Sequence, residues 1–108
     1  MGWQEEIQAE FENAEAARAS GNEGRARVCA RRAAGIAVRE SMLRQGLRPH
    51  STSAYDLLTM IRDDVGRSAN LRRIAEHLTL RVNEEFKLPV NADLLAEARK
   101  FCEELLAK

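Results

Sequence analysis

The stretch GRARVCARRAAGIAVRESMLRQG, residues 24–46, decides the fold of this chain. It holds six arginines, with a wide small-and-apolar face between them. A helix turns about 100° per residue, which puts Ala26, Ala30, Ala33, Ala34 and Ala37 on one flank, with Cys29, Ile36 and Leu43 beside them. A flank that small, flanked by larger apolar groups, belongs to a helix with neighbours on more than one side. Gly46 stops it, and Pro49 prevents continuation. Gly35 stands in its middle, where glycine costs about 1 kcal/mol relative to alanine, and marks a position where another backbone comes close.

Working outward, Trp3, Ile7, Phe11, Ala14 and Ala17 recur at three- and four-residue steps and predict a first helix over residues 3–20, ended by Gly21. Glu5, Glu6 and Glu10 favour the positive end of its dipole. Asn22 and Glu23 open a short turn, so the first two helices form an antiparallel hairpin. Beyond the loop GLRPHSTS, Ser53 is positioned to cap a third helix, with Asp56 three residues on, running to about Gly66. Ser68 caps a fourth, whose seam is Leu71, Ile74, Ala75, Leu78, Val82 and Phe86. Pro89 then breaks the chain, Asn91 caps again, and Leu94, Leu95, Ala98, Cys102, Leu105 and Leu106 form a fifth. No strand pattern or repeat train accompanies these helices. The expectation is an all-α fold, an up-and-down antiparallel bundle of four to five helices in a single domain spanning residues 1–108.

The chain has 108 residues, enough for one domain that buries about two-thirds of the surface exposed when unfolded. Cys29 and Cys102 lack a CxxC spacing and have only His50 and His77 as co-ligands, so they read as reduced, buried thiols, and neither a metal nor a cofactor is expected. With no long apolar run and no charged-then-apolar leader, the expected setting is cytoplasmic, with no membrane contact. Seventeen basic and seventeen acidic side chains cancel, giving the whole molecule no field that attracts nucleic acid. The distribution is uneven. Residues 1–16 carry five glutamates and no base, whereas residues 17–48 carry eight arginines against Glu23 and Glu40. Pairing of the acidic first helix with the arginines of the second accounts for this, and an arginine stripe for RNA is the alternative.

One pair of residue types suits acid-base chemistry. Histidine transfers protons and arginine stabilises developing phosphate charge, and Arg72 and His77 stand in an R-x4-H spacing on the fourth helix. Five residues turn a helix through about 500°, leaving these side chains about 140° apart, so they diverge unless the helix is locally frayed or a second subunit closes the site. Arg73 and His77, four apart, share a face. At the first turn, SGNEG and Arg25 offer amides and charge for a phosphate, or simply a turn. Trp3 beside Ile7 makes an apolar spot that a second copy of the chain would cover, and a homodimer is expected.

The order of these features resembles the HEPN family, helical bundles named for higher eukaryote and prokaryote nucleotide binding. The likeness spans nearly the whole chain and rests on the A-x-x-A-x-x-x-G ending of the first helix at Gly21, the long RARVCARRAAGIAVRESMLRQGL helix, the loop and helix HSTSAYDLLTMI, and LPVNADLLAEA ahead of the last helix. The resemblance implies a bundle that dimerises, is often encoded beside a nucleotidyltransferase partner in toxin-antitoxin pairs, and binds a nucleotide, RNA or a protein. Many members are metal-independent RNases with an R-x4-6-H motif shared across two subunits, here matched by Arg72 and His77. This sequence departs from the usual form, with Arg73 where a small polar residue often follows the motif arginine and Thr79 where active members often have tyrosine. Three readings stand: a HEPN-like binding domain with Arg25, Arg32 and Arg73 on nucleotide or RNA, an RNase using Arg72 and His77, and a non-catalytic helical adaptor. A tetratricopeptide-like hairpin is the other likeness, but one such unit builds no array.

Overall fold

The computed structural model describes residues 2–80 and 92–107. Among them are five α-helices and no strand: α1 Trp3–Ala19, α2 Glu23–Arg44, α3 Ala54–Asp63, α4 Ala69–Thr79 and α5 Leu94–Leu106. No helix among these residues is long and apolar enough to cross a membrane.

Local chemistry explains where most of them begin and end. Gly21 at φ 84° and Gly46 at φ 75° take the left-handed conformation that L side chains avoid, closing α1 and α2. The Asn22 amide then bonds the Ala17 carbonyl at 2.8 Å and the Leu47 amide the Met42 carbonyl at 2.9 Å, using carbonyls the helices leave open. The side chains of Asn22, Ser53, Ser68 and Asp93 each accept the amide three residues on, at 3.0, 3.3, 3.1 and 3.2 Å. The cap of α5 is therefore Asp93, two residues beyond the expected Asn91, which lies outside the described residues. α3 ends at Asp63 rather than near Gly66, and α4 ends at Thr79, with Leu80 extended. The Thr79 hydroxyl donates to the Ala75 and Glu76 carbonyls. Val82 and Phe86, expected on the same seam, lie outside the described residues.

Side-chain pairings set the helix directions. Trp3, at the start of α1, lies under the Arg44 guanidinium at the end of α2, so these two run antiparallel. Ser68 and Asn70 bond Glu104 while His77 bonds Glu97, so α4 and α5 are also antiparallel. Cys102 faces the Ala33 carbonyl, and Arg44 donates to the Leu106 carbonyl, so α5 runs parallel to α2. Directions thus alternate through α1, α2, α4 and α5, and the short α3 lies across the passage from α2 to α4. Arg99 of α5 covers the Phe11 ring and pairs with Glu15, tying α5 to α1.

The core forms around α2. Ala30, Ala33, Ala34, Ala37 and Val38 are fully buried with Phe101, Leu58, Ile74 and Leu94 from the other helices. Ile36 and Leu43, grouped with this flank in the sequence, stand half-buried and exposed. Gly35 does what its position predicts. A Cβ there would stand 2.7 Å from the Ala54 Cβ and 2.9 Å from its Cα, at the first residue of α3. Cys29 and Cys102 are free and buried, and burial pushes the Cys102 thiol up to about 12.

At the α1–α2 turn, Arg18 pairs with both Glu23 and Asp93, at 2.7 and 3.0 Å. Its hydrogen bonds hold both carboxyls below their usual range. Asp93 therefore caps α5 and fastens its start to the α1–α2 turn.

Replacing Gly35 by alanine forces α2 and α3 apart, because backbone atoms rather than a flexible side-chain tip block the new methyl. Chemical denaturation of Gly35→Ala is expected to show a loss of about 1–3 kcal/mol. An unchanged midpoint contradicts the contact.

Candidate functional site

Two places gather polar side chains of the types that do chemistry, and they lie on different faces. The first is on α4. Its N-terminal turn is set by Ser68, whose hydroxyl both caps the helix and donates to Glu104 on α5. From that anchor, Arg72 turns toward α3, where its Nε donates to the Arg62 carbonyl at 3.2 Å. His77 turns toward α5, where Nδ1 lies 2.7 Å from Glu97 Oε1. Arg73 approaches the other oxygen of the same carboxylate, 3.6 Å away, and bonds Asn70 Oδ1 at 2.6 Å.

The divergence expected from helical geometry is thus present: within one chain Arg72 and His77 are held by different helices, whereas Arg73 and His77 meet at one carboxylate. Glu97 was not foreseen, because nothing in sequence spacing links position 77 to position 97. The His77 and Glu97 side chains are both mostly buried, with 16% and 18% of their surface exposed. A carboxylate acceptor on Nδ1 keeps the proton of the neutral ring there and leaves Nε2 as the acceptor.

The second place is a groove of about 440 Å³ where α1, α2 and the start of α3 meet. Val28, Arg32, Gly35, Ile36 and Arg39 recur at three- and four-residue steps and line it as one stripe of α2, with Arg31 at its edge. Glu6 and Glu10, one turn apart, form the α1 wall, and Thr52, Ala54 and Leu57 close the third side. The Gly35–Ala54 contact is its floor. A second hollow, lined by Arg39, Pro49, His50, Ser51 and Thr52, continues from it through Arg39 and Thr52.

The charges in the groove are unevenly satisfied. Arg39 pairs with Glu6 at 3.4 Å, among the described residues the single ion pair between an α1 carboxylate and an α2 arginine, where the sequence pattern predicts more. Arg31 is half-buried and donates Nε to the Leu78 carbonyl at 2.7 Å, with no carboxylate beside it among the described residues. Lost hydration, then the neighbouring Arg27, pull its pKa below the usual arginine value. Arg32 and Glu10 line the same groove, yet neither makes a hydrogen bond or ion pair with a described residue.

Of the arginines expected to bind nucleotide or RNA, only Arg32 enters this groove. Arg25 is exposed near the start of α2, and Arg73 belongs to the His77–Glu97 cluster. Arg31 and Arg39 also line it; the stripe at 28, 32, 35, 36 and 39 is legible in the sequence, whereas Arg31 falls outside that spacing. Among the described residues, no three histidine, cysteine, aspartate or glutamate side chains gather to hold a metal ion.

Comparisons with protein-family models, with curated proteins and with solved structures found no match to this chain.

The His77–Glu97 contact has a spectroscopic consequence. Long-range ¹H–¹⁵N correlation of the neutral His77 ring is expected to show the Nδ1–H tautomer in the native protein and a shift toward Nε2–H in Glu97→Leu. The Nε2–H form in the native protein contradicts the pairing.

Proposed function

We propose that this chain is a HEPN-like helical-bundle domain that binds a nucleotide or an RNA phosphate in the groove between α1, α2 and α3. The observation that carries this reading is the arginine stripe. Arg31 and Arg32 face a concave surface with no carboxylate on either of them among the described residues, beside Arg39, which a single carboxylate holds at its outer edge. A half-buried guanidinium that has lost water gains most from an anion placed against it, and arginine's planar fork matches phosphate oxygens. Val28 and Ile36 add an apolar strip for a base or ribose. At about 440 Å³ the groove falls in the range of small-molecule sites. A homodimer and a nucleotidyltransferase partner belong to the same reading, with a non-catalytic adaptor as its limit when no phosphate is bound.

A second reading, a metal-independent RNase of toxin type, is favoured by the hydrogen bond between His77 and Glu97. It orients an imidazole as general acid or base, and Arg72 from a second subunit would supply charge stabilisation.

The two readings separate experimentally. For the binding domain, Arg32→Gln and Arg39→Gln are expected to weaken binding of a short labelled single-stranded RNA several-fold, each lowering the salt slope by about 0.7 per lost phosphate contact. Arg25→Gln and Arg73→Gln leave it unchanged. Equal affinity in all four variants returns the arginines of α2 to a structural role. For the RNase, cleavage in EDTA disappears in both His77→Ala and Arg72→Ala, and full activity in either variant excludes it.

A further inference from the structure

The groove carries two charges of opposite sign that no described residue partners, and they do not pair with each other. Arg32 on α2 and Glu10 on α1 both line it, and neither bonds a described residue. Glu6, the other carboxylate on that wall, is engaged by Arg39. A ligand complementary to this surface presents an anion to the arginine wall and hydrogen-bond donors to Glu10, with a flat apolar body for Val28 and Ile36, which flank Arg32 on α2. An ionised carboxylate only accepts, through two oxygens side by side, so it selects a group with two adjacent donors.

Among the four common nucleobases, one has that edge. Guanine offers N1–H and the N2 amino group next to each other. Adenine and cytosine each place a single amino donor beside a ring-nitrogen acceptor, which a carboxylate repels. Uracil sets one N–H between two carbonyls.

Resting on the phosphate-binding reading of the same groove, we propose that it is a guanine-nucleotide site in which Glu10 reads the base edge and Arg32 holds the phosphate. Glu10 is placed for this by α1, whose acidic turns line the groove opposite the arginine stripe. It is half-buried, so an incoming base removes the rest of its hydration and must return both hydrogen bonds. That requirement turns a wrong base into a penalty rather than a slightly weaker fit.

The test is calorimetric titration of the full chain with GMP, AMP, CMP and UMP. GMP is expected to bind at least about fivefold more tightly than the other three, the low end of what one bidentate pair discriminates. Glu10→Gln presents one acceptor and one donor, so it is expected to lose that factor for GMP while AMP binds as well as before or better. Arg32→Gln weakens all four alike. Helical circular dichroism equal to that of the native chain shows that each variant is folded, as expected for substitutions at positions without internal bonds.

Equal affinity for the four nucleotides overturns the guanine assignment while leaving phosphate binding in place. A guanine preference that survives Glu10→Gln overturns the role of Glu10. Absence of binding by all four at millimolar concentration overturns the guanine site and the phosphate reading together.

Discussion

The approach of α3 to α2 at Gly35 is the constraint on which the rest of the molecule depends. Nothing larger than hydrogen fits there, because the Ala54 backbone occupies the space a side chain would need. Two consequences follow from one missing methyl. The first turn of α3 sits low against α2, which lets Leu57, Leu58 and Ile61 reach the core. The groove walls also converge on that contact, so the charged stripe of α2 looks into a concavity instead of lying on an open helix face. The energetic cost of glycine in a helix, about 1 kcal/mol, is small beside the apolar burial it permits.

The alanine flank of α2 plays the same part on the opposite side. Fully buried residues at 30, 33, 34 and 37 let α5 pack close enough for Cys102 to face the Ala33 carbonyl. Bulkier side chains would keep these helices apart, and α5 would then lose its seat between α1 and α4. Electrostatic clasps finish what size begins. Arg18 with Glu23 and Asp93, Arg99 with Glu15, and Arg39 with Glu6 all lie near the surface, where each such pair contributes little by itself. Their value is in fixing which helix end meets which, and hence the alternating directions.

Much of the fold was legible in the residues. The starts of α3 and α4 followed from Ser53 and Ser68, the ends of α1 and α2 from Gly21 and Gly46, and the close approach at Gly35 from a lone glycine in a long helix. The start of α5 was harder, since Asn91 and Asp93 are equally good capping types and only the register of the chain decides between them. α4 stops at Thr79 although its apolar pattern runs on, because a period in the sequence says which face is buried and not where the helix ends. The candidate sites divide in the same way. The divergence of Arg72 from His77 was a matter of angles along one helix and could be read directly. The arrival of Glu97 beside His77, and of Glu6 and Glu10 opposite Arg32 and Arg39, depends on how separate helices are placed. No spacing within one helix encodes that.

The two cysteines have a use that their chemistry alone does not suggest. Cys29 sits fully buried on the inner face of α2, whereas Cys102 on α5 is nearly buried and borders a shallow hollow with Trp3, Ile7 and Leu106. A thiol reagent reaches Cys29 only when the bundle opens, while Cys102 stands at the edge of that hollow. The chain therefore carries its own opening sensor at Cys29, with a second thiol on a packed neighbouring helix for comparison. The labelling rate of Cys29, compared with that of an unfolded peptide, reports how often α2 is uncovered.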